Sequence, residues 1–356
     1  MSGASDPRTE RVWHDLLDLT LEGRAFPPDQ LIHPYDRLPA SAQPLVTTPV
    51  WDLSHESTGI RCRFLTDSPE LHARWSLRSS TPVNNHVPHT GKSGLDLYGR
   101  DDHNAWRWAG FVYATEPTGP THQHQSTLYQ HAHLPTPREF CLYLPYRGST
   151  DRVELGIPAT HQLTPAPPDP RPPLIFYGTS ILHGSAASRP GMTYPAISAR
   201  RLDYPFHNFG FAGNGPLHLE VAQLLAPLPA AAFVLAGCEN MTPPDVAERA
   251  EPFVNILREH HPTTPIVLLE NLPIAHAWFQ PKRHDLQASN NANLRAAFDN
   301  LTAQGDTHLH YLTARQLMGS DDEATIDSAH PTDLGFFRIA DALTPLLQSL
   351  LTEPAR

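Results

Sequence analysis

The chain has 356 residues, of which 40% are hydrophobic and 18% are charged, and its formal net charge is −11. This length suits about two globular domains with apolar cores of their own. The negative charge would repel the phosphate backbone of a nucleic acid, so we expect no nucleic-acid partner. No apolar run reaches the ~18 residues of a membrane-spanning helix, and we expect no membrane partner either.

The start of the chain and its cysteines bear on the compartment. Residues 1–19 lack the basic start and the apolar stretch of a secretion signal, which predicts a cytoplasmic protein or one from which a signal has been trimmed. Cys62, Cys141 and Cys238 are too few, and odd in number, for a disulfide framework. We therefore expect buried, inert thiols. The oligomeric state stays open.

The first half of the chain is predicted to be all-β, after one short helix over residues 9–18. Short alternating or apolar segments are separated by clusters of turn residues, at 61–67, 71–77, 93–100, 106–114, 139–146 and 152–158. Strands at this spacing predict a β-sandwich of jelly-roll type over residues 1–160. Six prolines among residues 161–173 then predict a semi-rigid linker.

Residues 174–356 follow a different pattern, in which apolar strands alternate with helices. The predicted strands are 174–178, 206–210, 231–237, 265–271 and 307–313, and the predicted helices are 194–203, 217–226, 243–260, 286–303 and 333–350. Five alternations predict an α/β/α domain with a five-stranded parallel sheet covered on both faces. Ligands bind such sheets at the carboxyl ends of the strands.

Polar residues that suit a serine hydrolase follow these strand ends. Ser180 comes two residues after the first strand, and Asp327 and His330 lie in the loop before the last helix. We predict Ser180 as the nucleophile, His330 as the general base and Asp327 as the carboxylate that orients the imidazole. Two alternatives stay open: Ser180 could simply cap a helix, and Asp321, Asp322 or Asp333 could replace Asp327.

The same mechanism needs donors for the negative oxygen of the transition state. The backbone N–H groups of Ser180 and Gly213 and the side-chain amide of Asn240 are the candidates for this oxyanion hole. Gly213 could also serve a turn with positive φ. Asn240 could instead be an amide that structures its loop.

Four sequence blocks strengthen this interpretation: GTS at 178–180, NFGFAGNG at 208–215, CENM at 238–241 and DSAHP at 327–331. Their order resembles that of the SGNH, or GDSL-type, hydrolases. GLDLY at 94–98, FLTDSP at 64–69 and LYLPYRGSTDRVELGIP at 142–158 resemble the branch with an N-terminal Gly-x-Asp-Leu-Tyr β-domain. The resemblance implies a flavodoxin-like catalytic domain and hydrolysis of acyl esters without metal or cofactor. In this branch it further implies deacetylation of carbohydrate.

Three positions depart from the pattern of that branch. Ala236 and Glu239 stand where the branch tends to have Asp and Pro, which changes the packing and charge around Asn240. His183 stands close to the nucleophile where a residue that does not titrate is more usual. We treat His183 as a candidate for tuning substrate choice or pH response.

Further substrate contacts are expected from the loop after the nucleophile and from the β-domain. Arg189 either braces that loop or binds substrate, and Asp96 and Tyr98 of GLDLY either line the cleft or hold a hairpin together. Most tryptophans fall in the N-terminal half, where core packing is favoured over stacking on sugar rings.

The histidine pairs of residues 121–133 raise a metal hypothesis. His122 with His124, and His131 with His133, have the i, i+2 spacing that places both rings on one face of a strand. A polar, proline-flanked loop is the simpler interpretation, and we predict no metal site. The function predicted overall is a serine esterase for small acyl esters of a small molecule or oligosaccharide. The alternatives are a general arylesterase or lipase, an inactive carbohydrate-binding protein and a metal-dependent enzyme.

Overall fold

The strands before residue 166 pair in antiparallel sheets, and the strands after residue 173 form a parallel sheet. The computed structural model describes residues 10–79, 85–114 and 123–352. Within these ranges the first part contains the strands β1 (Arg11–Asp15), β2 (Thr20–Glu22), β3 (Arg61–Thr66), β4 (Leu71–Ser79), β5 (Leu95–Arg100), β6 (Trp106–Val112), β7 (His124–Tyr129), β8 (Arg138–Tyr143), β9 (Ser149–Pro158) and β10 (Leu163–Pro165), and the helices α1 (Thr48–Ser54) and α2 (His89–Ser93).

These strands form two antiparallel sheets around one apolar core. One sheet has the order β1-β9-β4-β7, and the other has the order β10-β3-β8-β5-β6, with β2 also paired to β3. Trp75 and Leu155 belong to the first sheet, and their side chains share a buried cluster with those of the second. Phe64 and Leu142 are among the partners from the second sheet. The prediction of an all-β N-terminal domain is confirmed.

The helix predicted over residues 9–18 is wrong for the residues that the structure describes. Strand β1 pairs with β9 instead, with Arg11 opposite Pro158 and Asp15 opposite Glu154. Only a 3-10 turn, Leu16–Asp18, follows it. A partner strand distant in sequence supplies the hydrogen bonds of β1, and this tertiary pairing outweighs local helix propensity.

Two other strands lie where the sequence predicted a loop and a linker. Strand β7 pairs with β4, and its polar, largely solvent-facing side chains hide it from a hydrophobicity pattern. Strand β10 lies inside the proline-rich segment 161–173 and pairs with β3 at the end of its sheet. Proline is tolerated at such an edge because no further strand needs its missing N–H.

The second part of the chain forms a parallel sheet with the order β12-β11-β13-β14-β15. Its strands are β11 (Leu174–Gly178), β12 (Phe206–Gly210), β13 (Ala232–Ala236), β14 (Ile266–Leu269) and β15 (Leu309–Leu312). The helices described there are α3 (Ser180–His183), α4 (Tyr194–Leu202), α5 (Leu219–Leu225), α6 (Pro243–His260), α7 (Pro281–Ala303), α8 (Ala314–Met318) and α9 (Asp333–Thr352). The predicted flavodoxin-like α/β/α fold is confirmed.

Both faces of this sheet are buried. Phe176 and Tyr177 are neighbours on β11, and their side chains point to opposite faces. Phe176 shares a buried cluster with Leu343 of α9, whereas the ring of Tyr177 lies 4.9 Å from that of Phe253 on α6. Helix α7 begins at Pro281, before the predicted residue 286, because proline is readily accommodated in the first turn of a helix.

A buried polar group, here called the junction cluster, connects the two domains. It consists of Arg37, Glu56, Arg147 and His183. Arg37 donates to the carbonyl of Glu56 at 2.7 Å and to that of Gly210, at the end of β12, at 2.8 Å. Glu56 binds Arg147 at 3.0 Å and His183 Nε2 at 2.9 Å. Buried charges persist only when they are paired in this way.

Candidate active site

The candidate nucleophile sits on a tight turn at the carboxyl end of β11. Thr179 is extended, and Ser180 begins the short helix α3, half-buried at the sheet edge. The turn leaves no room for a side chain on Gly215, because a Cβ there would lie 2.0 Å from the carbonyl oxygen of Gly178. This close approach of backbone to backbone fixes the position of Ser180 relative to the sheet.

The structure brings Ser180, His330 and Asp327 into one hydrogen-bonded chain. Ser180 Oγ lies 2.9 Å from His330 Nε2, and His330 Nδ1 lies 2.7 Å from Asp327 Oδ2. An imidazole bonded in this way donates its Nδ1–H to the carboxylate, and its Nε2 lone pair accepts the hydrogen bond of the serine hydroxyl. The arrangement can accept a proton from Ser180 Oγ.

Local backbone bonds hold Asp327 in this orientation. Its Oδ1 accepts hydrogen bonds from the backbone N–H groups of Ala329 at 3.1 Å and His330 at 2.8 Å, which leaves Oδ2 for the ring. Burial alone would raise the pKa of Asp327, but the bonds from His330 and Ala329 outweigh it and lower the pKa below its usual value. The carboxylate is therefore ionised at neutral pH.

The competing aspartates have other partners or positions. Asp321 binds Arg338 through both oxygens at 2.7 Å, and Asp333 accepts from the backbone and hydroxyl of Ser188 at the start of α9. Asp322 is exposed at a turn with φ of 61°. Among the four, Asp327 is the one whose carboxylate contacts the ring of His330.

The candidate oxyanion donors lie beside one another on neighbouring loops. Gly213 is in the 3-10 turn Ala212–Asn214 after β12, and Asn240 follows β13. A Cβ on Gly213 would stand 4.0 Å from Asn240 Nδ2, and both residues are exposed. The glycine thus leaves space next to the amide, where a ligand oxygen can approach.

Asn290 is a supporting residue that the sequence did not indicate. From α7, its buried side-chain amide donates to the carbonyls of Cys238 at 3.3 Å and Met241 at 2.9 Å. These two bonds bracket the segment that carries Asn240. An asparagine inside a long helix gives no signal of such a contact with a distant loop.

Glu239 links the segment that carries Asn240 to the turn that carries the candidate nucleophile, Ser180. Thr179 Oγ1, next to the candidate nucleophile, donates to Glu239 Oε2 at 3.1 Å. Burial raises the pKa of this carboxyl group to about 7, against the hydrogen bonds from its own backbone N–H and from Thr179. The unusual residue at this position therefore joins the segments that carry Ser180 and Asn240.

The residues Asp96, Tyr98 and Arg189 form one bonded group between the domains. Arg189 Nη1 donates to both oxygens of Asp96, at 2.9 and 2.7 Å, and to the Tyr98 hydroxyl at 2.7 Å. Asp96 is fully buried and also accepts from Gly191 N at 2.8 Å and Trp108 Nε1 at 3.1 Å. Because of these bonds, Asp96 and Arg189 brace the loop that follows the candidate nucleophile, Ser180. This geometry leaves Arg189, which is partly exposed, as the member able to meet a ligand.

His183 does not reach the surface of the candidate site. Its side chain is fully buried, and Nε2 donates to the carbonyl of Tyr146 at 2.6 Å and to Glu56 at 2.9 Å. Burial lowers the pKa of His183 to about 4, so the ring is neutral at physiological pH. This position does not fit the predicted substrate contact, and we reassign the side chain to the junction cluster.

His86 belongs to the β-domain and precedes the GLDLY motif by a few residues. Its side chain nevertheless lies next to the candidate triad of the α/β domain. Its ring is stacked on that of His330, with centroids 4.2 Å apart and planes within 8°. The sequence analysis missed it, since one histidine among the 22 of this chain carries no signal of its own.

Comparisons with known proteins identify the family of the chain. The sequence profile of the GDSL-like lipase/acylhydrolase family matches residues 171–348, and the GxDLY profile, the N-terminus of SGNH-hydrolase-type esterases, matches residues 11–163. The chain belongs to the GDSL-like lipase/acylhydrolase family. The resemblance predicted from the sequence blocks is thereby confirmed. No curated protein matched the sequence.

Solved structures of similar fold cover nearly the whole of this chain. A Bacteroides ovatus protein described as a GDSL-like lipase has 28% identity and a TM-score of 0.88, covering 98% of this chain and 100% of its own. The salicylyl-acyltransferase SsfX3 of a tetracycline biosynthetic pathway has 23% identity and a TM-score of 0.77, covering 97% and 99%. The acetyl xylan esterase Est2A of Butyrivibrio proteoclasticus has 13% identity and a TM-score of 0.57, covering 96% and 100%. The last two show the fold alone.

Of the histidine pairs, His122 lies outside the described residues, His124 is on β7 beside Trp75, and His131 and His133 follow β7. In the described part of the chain, none of them joins a group of three potential metal ligands. The three cysteines are buried and free, as predicted.

The tryptophans divide between the core and the surface. Trp51 and Trp75 are buried, whereas Trp108 is 57% exposed and lines a groove of about 800 Å³ together with Arg107 and Arg189. The preference for core packing is therefore wrong for Trp108. Among the helices that the structure describes, none combines the length and apolarity needed to cross a membrane.

Proposed function

We propose that the protein is a serine esterase that removes small acyl groups, in particular acetyl groups, from carbohydrate esters through an acyl-enzyme on Ser180. The observation that carries this proposal is the unbroken chain of bonds from Ser180 Oγ through His330 to Asp327. A serine hydrolase needs this order of nucleophile, base and orienting carboxylate.

Acylation begins when Ser180 Oγ attacks the ester carbonyl. Its proton passes to His330 Nε2, and Asp327 stabilises the imidazolium that forms. The carbonyl oxygen becomes negative and is met by the Asn240 amide and the backbone N–H groups of Ser180 and Gly213. His330 then returns the proton to the leaving alcohol, and a water activated by His330 resolves the acyl-enzyme in the same way.

Two observations support carbohydrate as the alcohol part. One relative of this fold is named as an acetyl xylan esterase. In this chain, Trp108 exposes its indole beside Arg189 in the groove between the domains. An exposed indole beside a hydrogen-bonding guanidinium suits the apolar face and the hydroxyls of a sugar ring.

A different set of residues supports the second candidate, a general arylesterase or lipase-like acylhydrolase. The turn Ala275–Phe279 is hydrogen-bonded to the triad loop, the loop that carries Asp327 and His330. Ala275 N donates to Ser328 O at 2.9 Å. Trp278 and Phe279 on this turn are 80% and 57% exposed, and Ile326 on the triad loop is 54% exposed. Exposed apolar side chains of this size suit a longer acyl chain or an aromatic ester.

The experiment that separates these functions is hydrolysis of p-nitrophenyl acetate, butyrate and octanoate by the wild type and by Ser180→Ala. We expect acetate to be preferred and Ser180→Ala to be inactive while remaining folded, with Ser349→Ala, an exposed serine on α9, as the matched active control. Octanoate preferred by the wild type would favour the lipase-like function. Equal activity of Ser180→Ala would contradict the serine mechanism. A wild type inactive on these esters and on acetylated oligosaccharides would favour a carbohydrate-binding protein.

A further inference from the structure

A segment of the β-domain reaches the candidate active site. Residues 85–93 lie just before β5 and end in α2. Val87 is buried in the core cluster of the α/β domain, and the hydroxyl of Thr90 donates to the carbonyl of Ser188 on the loop after the nucleophile. Tyr146 N donates to the Gly91 carbonyl at 3.1 Å. Val87 and Thr90 thereby fix the segment against the α/β domain directly after His86, and Tyr146 holds it from the β-domain.

The ring of His86 covers one face of the ring of His330. The centroids are 4.2 Å apart and the planes differ by 8°, so the two imidazoles are stacked almost in parallel. His86 Nδ1 lies 3.8 Å from Asp327 Oδ2, which is too long for a hydrogen bond. Contact with the face of His330 is therefore the main interaction of His86 with the candidate triad.

The three groups could be taken for a metal site, since ligand atoms of His86, Asp327 and His330 lie within 4.8 Å of one another. An ion bound to an imidazole nitrogen lies close to the plane of that ring. Two parallel rings one above the other cannot both direct a lone pair at the same ion. The stacked arrangement therefore favours contact between the rings over shared coordination.

The protonation state of His86 determines whether its ring attracts or repels a protonated His330. Burial lowers the pKa of His86, the charges of His330, Arg147 and Lys92 lower it further, and Asp327 acts in the opposite direction. The lowered pKa favours the neutral form of His86 beside His330. The face of a neutral aromatic ring attracts a cation held against it.

We propose that His86 is a positioning residue for the candidate triad, whose stacked ring holds the His330 imidazole in line with Ser180 and favours the imidazolium formed during acyl transfer. The proton moves only from Ser180 Oγ to His330 Nε2 and then to the leaving alcohol, and His86 neither gains nor loses one. The β-domain thereby completes a catalytic site whose reacting groups all come from the α/β domain. This inference rests on the function proposed above.

The test compares three substitutions of His86 in the full chain, with p-nitrophenyl acetate as the substrate. His86→Ala removes the ring, and we expect a roughly threefold to thirtyfold fall in kcat with little change in KM, since the side chain acts on His330 and not on the ester. His86→Phe keeps a flat ring of similar size and should recover most of the lost rate. His86→Gln keeps a polar group without a ring and should be as slow as His86→Ala.

Two controls make the outcome unambiguous. His89→Ala changes an exposed histidine of the same segment and should match the wild type, and thermal unfolding shows whether each variant is folded. Recovery by His86→Gln but not by His86→Phe would overturn the stacking role in favour of a polar contact with Asp327. Wild-type kcat in His86→Ala beside an inactive Ser180→Ala would overturn this inference alone. Full activity of Ser180→Ala would overturn the proposed function and this inference together.

Discussion

Asn240 shows how much of the proposed chemistry depends on one side chain. It is exposed on the loop after β13, next to Gly213, and Asn290 holds the carbonyls on either side of it. At this scale the sequence indicates the groups that follow strand ends, such as Ser180 and Asn240 themselves. It gives no signal for Asn290 or His86, because these approach from a distant helix and from the other domain.

Replacing Asn240 by alanine should therefore slow the reaction without changing the fold. We expect kcat to fall about a hundredfold or more, corresponding to about 2.7–4 kcal/mol of lost transition-state stabilisation, with a small effect on KM. Steady-state kinetics on p-nitrophenyl acetate measure it. Asn300→Ala, at an exposed amide bonded to Glu251, is the matched control. A near-normal kcat in Asn240→Ala would mean that the donor was wrongly identified.

Among the secondary-structure elements, strand β5 braces the loop that follows the candidate nucleophile, Ser180. Asp96 on β5 is fully buried and accepts hydrogen bonds from Arg189, Gly191 and Trp108. Burial raises the pKa of Asp96, and the charge and bonds of Arg189 and the N–H of Gly191 act against this rise. The GLDLY motif thus supplies the carboxylate that connects its β-strand to the loop between α3 and α4.

Asp96→Asn breaks this connection while preserving the size of the side chain. An amide nitrogen would face the guanidinium of Arg189, and the free energy of unfolding should fall by about 3 kcal/mol, as when one partner of a buried pair is removed. Urea unfolding measures the change. Asp101→Asn provides the comparison, because Asp101 pairs with the exposed Arg107 and such surface pairs contribute little. Equal stability of the two variants would argue against a bracing role.

In the whole molecule, the junction cluster between the two domains makes the stability of the protein depend on pH. His183 from the α/β domain and Glu56 from the N-terminal part are both buried, and His183 donates to the carbonyl of Tyr146 as well. Burial lowers the pKa of His183 to about 4 from its ordinary value of 6.5. Burial would raise the pKa of Glu56, but its hydrogen bond to His183 and the charges of Arg147 and Arg37 lower it.

Both shifts predict loss of stability in acid. A group whose pKa is lower in the folded state binds protons more readily when unfolded, so its contribution is present above its unfolded pKa and is lost as the pH falls. For His183 the loss runs from about pH 6.5 to about pH 4 and amounts to about 3 kcal/mol. Unfolding of the wild type and of His183→Gln, followed from pH 8 to pH 4, should show a shallower decline for the variant. Parallel curves would contradict the assignment.

Sequence alone indicates the alternation of strands and helices after residue 173 and the order of Ser180, Gly213, Asn240, Asp327 and His330 along the strand ends. Hydrophobic periodicity and short motifs are local properties, so they can be recognised without coordinates. The folded structure is needed to find that β1 is a strand, that His183 is buried at the junction cluster, that Asp96 braces Arg189 and that His86 covers His330. Each of these depends on a partner distant in the chain, and a local pattern does not record which distant partner a side chain will meet.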